Sequence, residues 1–592
     1  MTDSLNALFV VPGLAGTLAA LTVALMLGSS VGGHSVLGTP NAGARPAVTY
    51  ATDIAPILAR ECVGCHAPGG SAPFSLLTYE DARSRAGRIA DATERGVMPP
   101  WLPASEPGTF DGERRLTSDE IELLGQWAEE GAPAGDLSAV TNQAAETASG
   151  SSGLGSGGWD PGPADLTVQL PTYTVPAQGR DVYRNLVVPI PVAETRWVEY
   201  VELRPGSRSV VHHARMMVDT TPSSRELARS LTDGPGFDGM ALLSNAVNPS
   251  GHFIGWTPGM TRLPPLEGMP WRLDPGTDLV VQLHFRTSGV EEEVAAQVEF
   301  HFADGPPTRE PAILVISSLM IDIPAGASDY SVANSFTIPV DVDVLAVYPH
   351  AHYLGKDLRA TAVLPGGREV SLIHIPNWDF NWQDNYRFSE PISLPAGTTI
   401  LKQYTYDNSA ENPHNLSSPP TRVVYGSNST DEMADLILQV LPRNSADRRR
   451  LLEEQAWKHE SEDMAYMAHR EFIQGQSLVE AGDLDSATRH FQEALQYRAD
   501  HVGALVGLSR IFATKGDAES SLLIARQGVM MSNGQDSHAL DAMAAALAML
   551  GQSDEAVGAA QDALRLAQRG GDTVLADSLE ARIRRYRGSG GR

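Results

Sequence analysis

Cysteine is nearly absent: only two occur in 592 residues, as Cys62 and Cys65. That excludes a disulfide framework, so every domain must rely on packing alone. Basic charge is also short. With 44 Lys and Arg against 72 Asp and Glu the formal net charge is -28, which argues against nucleic acid as a partner, because phosphates require clustered cations. Long apolar runs are lacking except for "ALFVVPGLAGTLAALTVALML", Ala7 to Leu27, long enough for an export signal or a membrane anchor. No Lys or Arg precedes Arg45, and the A-x-A-like site at Ala42 to Ala44 lies far beyond the apolar core. Residues 1–45 are expected to be a signal peptide or N-terminal membrane anchor with a spacer, and the rest to be exported, periplasmic or held at the inner membrane facing the periplasm. What remains is globular in balance, 42% hydrophobic and 20% charged, and long enough for several domains.

Both cysteines fall in "ECVGCH" as Cys62, Cys65 and His66. C-x-x-C-H is the attachment signature of c-type haem: the thiols form thioethers and the adjacent imidazole binds the iron. Zinc would need further ligands nearby, yet His66 is the only histidine between His34 and His212. Elimination supplies a sixth ligand, since Met98 in "GVMPPW" is the only methionine between Met26 and Met216. "LTSDEIELLGQWAEEGAP" closes the module with a helix capped by Thr117 or Ser118 and made apolar by Ile121, Leu123, Leu124 and Trp127. Residues 46–136 are thus expected to be a small α-helical cytochrome c domain of class I type. Residues 137–160, with "ASGSSGLGSGG", read as a flexible linker that leaves the haem free to approach the domain on its C-terminal side.

From about 161 to 443 short apolar or alternating runs such as "RWVEYVELRP", "DLVVQLHFR" and "DLRATAVLP" are broken by Pro and Gly. This favours antiparallel β-sandwiches. His350 and His352 in "YPHAHYLG" stand two apart, so on a strand they face the same side and can share one ion. His212 and His213 in "VVHHARMMVD" are adjacent, and can share a metal only if the backbone kinks there.

Taken together, "VVHHA", "QLHF" with His284, "PHAHYLGK" and "GSNSTDEMADL" with Met433 resemble, in order and context, the copper type II ascorbate-dependent monooxygenases. These are the family of peptidylglycine alpha-hydroxylating and dopamine beta-monooxygenase; "WDFNWQDNY" and "YDNSAENP" look like its bacterial branch. The resemblance covers roughly 165 to 443. It implies one copper held by His212, His213 and His284, and a second, oxygen-binding copper held by His350, His352 and Met433 at the catalytic centre. It also implies two jelly-roll-like β-sandwiches, assigned to 161–330 and 331–445. A C–H bond of a small-molecule or peptide substrate would be hydroxylated with O2, electrons arriving through the fused haem, with ascorbate admitted as reductant. The chain departs from the peptidylglycine enzyme at Tyr348, where that enzyme has an arginine, and at Asp435 and Ile437, where it has Asn and Tyr. An alternative of another class is an electron-transfer or copper-binding scaffold without oxygenase turnover.

Beyond 446 the composition turns to Ala, Leu and Gln with helical periodicity, and turn glycines recur at Gly482, Gly516 and Gly551. That spacing is the period of tetratricopeptide repeats, so 446–592 is expected to be an α-helical solenoid that binds a protein partner or caps the oxygenase. Gly475, Ala487, Phe491 and Ala494 are its first set of packing residues; Ser509 and Ser521 occupy two such positions in a degenerate second repeat. His459, His469, His490, His501 and His538 read as surface or packing residues.

Overall fold

A computed structural model describes residues 47–68, 70–140, 159–179, 182–231, 234–239 and 245–589. The expected signal or anchor over 1–45 lies outside them, as does most of the expected linker. Among the described residues no helix is long and apolar enough to cross a membrane.

Of the N-terminal helices, Ala55–Glu61, Tyr79–Arg83, Ala86–Glu94 and Ser118–Glu129, the second and fourth start at threonine capping boxes. Thr117 accepts the Glu120 N–H while the Glu120 carboxylate accepts the Thr117 N–H at 2.8 Å, a reciprocal cap that satisfies two otherwise orphaned donors. Leu124 and Trp127, both fully buried, then pack on Ile54 and Leu58.

The middle of the chain is β-rich, as two antiparallel sandwiches. In the first, Leu166–Gln169, Gln297–Ala303, Arg196–Arg204 and Trp271–Leu273 form one sheet. Facing it, Phe237–Asp238, Val182–Pro189, Asp278–Phe285, Val211–Asp219 and Ile254–Trp256 form the other. In the second sandwich Ala312–Ser317 pairs with Asp435–Pro442, which pairs with Val342–His350. The boundary expected at 330 is therefore corrected to a point before Ala312. The strand that opens the second sandwich pairs with the one that closes it, a long-range match that local punctuation does not reveal.

At the end of the strand Val211–Asp219 the carboxylate of Asp219 accepts hydrogen bonds from Thr221 N at 2.7 Å and Oγ1 at 2.6 Å, from Ser223 Oγ at 2.9 Å, and from Ser224 N at 2.9 Å and Oγ at 2.6 Å. Burial pushes its carboxyl up, but the bonds from Ser224 and Thr221 outweigh this and hold it well below the usual carboxylate range. A depressed carboxyl contributes stability that is present above the unfolded pKa and lost as pH falls through the folded one. Asp219→Asn is therefore expected to cost about 1–3 kcal/mol at neutral pH. The gap between the two proteins in denaturant melts should close as the pH is taken below the ordinary carboxylate range.

The helical N-terminal segment does not swing freely, contrary to the expectation drawn from the Ser/Gly-rich linker. Phe110 is 3% exposed and belongs to the core of the second sandwich, with its ring 5.0 Å from that of Phe388. Asp111 N donates to Arg387 O at 2.8 Å, Ser389 N to Thr109 O at 3.1 Å, and Ala104 N to His374 O at 2.8 Å. Apolar burial and backbone pairing fix the segment from within, whatever the linker's composition.

The C-terminal region is a helical repeat. Ser445–Glu480 is one 36-residue helix whose first half lies on the second sandwich: Leu451 enters that core, and His459 Nε2 lies 3.0 Å from Val315 O. Beyond it come helix pairs that turn at Gly482, Gly516 and Gly551 with φ of +83°, +82° and +75°, a conformation that favours glycine. Phe491 sits so close that a Cβ on Gly475 or Gly507 would lie 2.5 Å from its ring. In the degenerate repeat the buried Ser509 Oγ and Ser521 Oγ satisfy each other at 3.1 Å.

Candidate metal centres and the cleft between them

The first histidine set is assembled by a bulge. Strands Val211–Asp219 and Asp278–Phe285 pair with Val211 opposite Phe285 and His213 opposite His284, so His212 is an extra residue. Such an insertion reorients side chains locally, which supplies the kink that adjacent histidines need. The three Nδ1 atoms converge: His212 to His213 at 3.1 Å, His212 to His284 at 3.2 Å and His284 to His213 at 3.3 Å. Nitrogens bound about 2 Å from one ion at tetrahedral angles lie about 3.3 Å apart, so the triangle fits a first-row ion. Tyr183 stacks on His284 at 4.2 Å and 4°, fixing the ring. Burial, with the neighbouring His284 and His212, holds His213 well below its usual range and so neutral, the form a metal requires.

His350 ends the strand Val342–His350 opposite Asp435. Just beyond the paired register, the backbone N–H groups of His352 and Met433 both donate to Glu432 Oε1. His350 Nδ1 lies 2.5 Å from Gln383 Oε1, and His352 Nδ1 lies 3.0 Å from Asp431 O. Both bonds engage Nδ1 and leave Nε2 for an ion. The His352 Nε2 atom is buried without a hydrogen-bond partner, and burial plus the neighbouring His350 push its pKa down to about 3. A buried nitrogen left without a partner is costly unless a ligand takes it. Met433 is half-buried and lines the same cleft as His350. This donor set, two imidazoles and a thioether, suits a soft cuprous ion, and the three-imidazole set suits copper in either state.

Glu432, Phe380 and Gln383 lie at these candidate centres and were not singled out by the sequence. Glu432 is fully buried, and its carboxylate accepts the backbone N–H of His352, of Leu354 at 3.0 Å and of Met433 at 2.8 Å, tying the two ligand-bearing loops together. Burial pushes its pKa up to about 8 against those bonds. Phe380 stands between the histidine sets, its ring centre 5.7 Å from that of His352 and 6.3 Å from those of His213 and His284. The available signals were the acidic residue beside Met433 and the aromatic run "WDFNWQDNY", neither of which specifies a contact.

A cleft of about 550 Å³ opens between the sandwiches, with His213 and Arg215 on one wall and Tyr348, His350 and Met433 on the other. Tyr348 OH reaches Gln383 Oε1 at 3.3 Å and its ring packs on Phe253 at 4.4 Å. Gly64 and Ser71 also line this cleft, so the Cys-x-x-Cys-His segment borders it. There Cys62 and Cys65 are free thiols, with Cys62 pushed up to about 12 by burial. His66 Nδ1 bonds Phe74 O at 3.1 Å, which leaves Nε2 for an iron. Unpaired thiols beside an imidazole oriented in this way fit a covalently attached haem. Met98 is half-buried just after the helix Ala86–Glu94, its N–H bonded to Ala92 O at 3.2 Å.

Among the described residues one further cluster, Glu471, His490 and Glu493, has metal-ligand spacing. Glu471 already pairs with Arg470 at 3.2 Å and with His490 at 2.7 Å, the arrangement of a packing contact.

No family model matches the chain and no curated protein matches it. Among solved structures the C-terminal helices are similar to PcrH from Pseudomonas aeruginosa, at 21% identity over 20% of this chain and 90% of that one, with a TM-score of 0.19. The Arabidopsis OM64 TPR domain matches at 14% identity over 21% of this chain and 98% of its own, TM-score 0.19. The Yersinia enterocolitica type III secretion translocator chaperone SycD matches at 14% over 20% and 82%, TM-score 0.19. The chain is multidomain, with a β-rich middle and a C-terminal helical repeat.

Proposed function

We propose that the protein is an exported copper monooxygenase with a built-in cytochrome c. The observation that carries this reading is the pair of donor sets on either side of Phe380: three imidazole Nδ1 atoms within 3.3 Å of one another, and the His350 and His352 rings with the partnerless His352 Nε2, with His213, His350 and Met433 reaching the cleft. His212, His213 and His284 would hold one copper, and His350, His352 and Met433 the other; Cys62, Cys65, His66 and Met98 would hold the haem. Copper at these sites supplies one-electron chemistry toward O2 and the hydroxylation of a substrate C–H bond.

The protein's own part is positional. Gln383 and the Asp431 carbonyl set the tautomers of His350 and His352, and Tyr183 fixes His284. The cleft is sized for a small organic molecule or a peptide end. Its Tyr348 and Phe253 wall is aromatic where the peptidylglycine enzyme carries an arginine, which argues against peptide amidation. Covalent haem attachment takes place outside the cytoplasm, consistent with the apolar run at Ala7 to Leu27. The helical repeat, whose hairpins stack into a continuous surface, is the part suited to a protein partner.

Metal and pigment analysis of the exported protein tests the reading. One haem and two coppers per chain are expected, with copper-dependent oxygen uptake on reduction. A preparation that holds haem and takes up no copper when offered it in the reduced state would overturn the assignment.

A further inference from the structure

A Cβ on Gly259 would lie 2.8 Å from Cys65 Sγ and 3.8 Å from Arg114 Nη1. The Cys65 sulfur and the Arg114 guanidinium therefore flank the same bare stretch of backbone, which turns there with φ of +74°. On its other side Arg114 Nη2 donates to Asp384 Oδ2 at 2.9 Å, both side chains being 13% exposed. Asp384 is one peptide bond from Gln383, and Gln383 Oε1 lies 2.5 Å from His350 Nδ1. Gln383 is itself held, because its Nε2 donates to Phe380 O at 3.0 Å. The Cys65 position on the haem motif is thus linked to the His350 ring by one through-space gap over the bare Gly259 backbone, one shielded ion pair, one peptide and one hydrogen bond. The three-imidazole set lies beyond the Phe380 ring.

We propose that Arg114, Asp384 and Gln383 form the entry by which electrons pass from the haem motif to the His350 side, ahead of the three-imidazole set; the inference rests on the copper and haem reading above. With haem and copper bound, one electron would leave ferrous iron, making it ferric, and would convert cupric copper to cuprous. No bond to the chain would form or break, and His350 would keep its hydrogen bond to Gln383. The docking seen at Phe110 gives this route a fixed geometry, so it does not depend on diffusion of a tethered domain.

The test uses the full holoprotein with ferric haem and cupric copper, kept free of oxygen. A flash-generated deazaflavin semiquinone reduces the haem, and its reoxidation is followed at the haem band. Arg114→Met is expected to slow reoxidation about tenfold while haem content and copper content hold, with a lower melting temperature because Asp384 loses its shielded partner; Arg114→Lys, which keeps the ion pair, is expected to recover part of the rate and of the melting temperature. His284→Ala should retain the fast phase and His350→Ala should lose it; this second comparison leaves the Arg114 dock untouched. An unchanged fast phase in Arg114→Met overturns the route, as does a fast phase that survives His350→Ala and vanishes in His284→Ala. If the wild-type protein loads both metals yet never shows copper-dependent haem reoxidation, the oxygenase reading fails before the route is reached.

Discussion

Replacing His284 by alanine is expected to leave a protein with one haem and one copper and with hydroxylation reduced far beyond the roughly 10–100-fold cost of losing an outer partner of a metal ligand. Its Nδ1 closes the triangle at 3.2 Å to His212 and 3.3 Å to His213, so without it two imidazoles on a bulged strand remain to hold an ion. The side chain is fully buried and stacked on Tyr183 at 4.2 Å, so truncation also opens a cavity costing about 2–4 kcal/mol. The two effects separate by chelation. Copper bound only to the folded state raises its stability by mass action, so the wild type should melt higher with copper than after chelation. In His284→Ala that increment should shrink while the lower baseline of the chelated protein reports the cavity. The spectrum of a haem held by the proposed Cys62, Cys65, His66 and Met98 should not change. A variant that keeps two coppers would show that the triangle is a packing cluster of neutral imidazoles.

Local chemistry was readable in the sequence. The Thr117 cap, the turn glycines Gly482, Gly516 and Gly551, and the Cys-x-x-Cys-His segment depend on neighbours a few residues away, and the structure places caps and turns where spacing predicts them. The fate of His212 and His213 was half readable: sharing a metal required a kink, but nothing in "VVHHA" shows that the opposite strand lacks a residue there. Contacts between distant segments were not readable. Phe110 sits in a Gly-rich stretch of the N-terminal helical segment yet completes the core of a sandwich far along the chain. Residues 312–317 read as part of the first sandwich because punctuation is local, whereas their partner is the strand Asp435–Pro442. Glu432 carries no local signal of its burial in the sequence, and only the fold reveals three backbone donors around its carboxylate. A buried carboxylate is costly unless such donors surround it, so its presence beside Met433 marks a site that position alone would not.

The same anchoring makes Met433→Ala the most specific test of the oxygen-side centre. The Met433 backbone is held at both ends, its N–H to Glu432 Oε1 at 2.8 Å and its carbonyl by Tyr406 OH at 2.8 Å. Neither bond involves the side chain, so truncation should leave the loop, His350 and His352 where they are and cost little stability, the side chain being only half-buried. What disappears is the one sulfur donor. Two imidazoles without the thioether bind cuprous copper more weakly, and hydroxylation is expected to fall at least about a hundredfold while the three-imidazole copper and the haem stay loaded. X-ray absorption at the copper edge checks this directly: the reduced wild type should show a sulfur scatterer that is missing from Met433→Ala. Met433→His offers a harder donor at the same position and should restore copper content without restoring the preference for the cuprous state. Full activity and an unchanged sulfur signal in Met433→Ala would place the thioether elsewhere and reduce Met433 to a lining residue of the cleft.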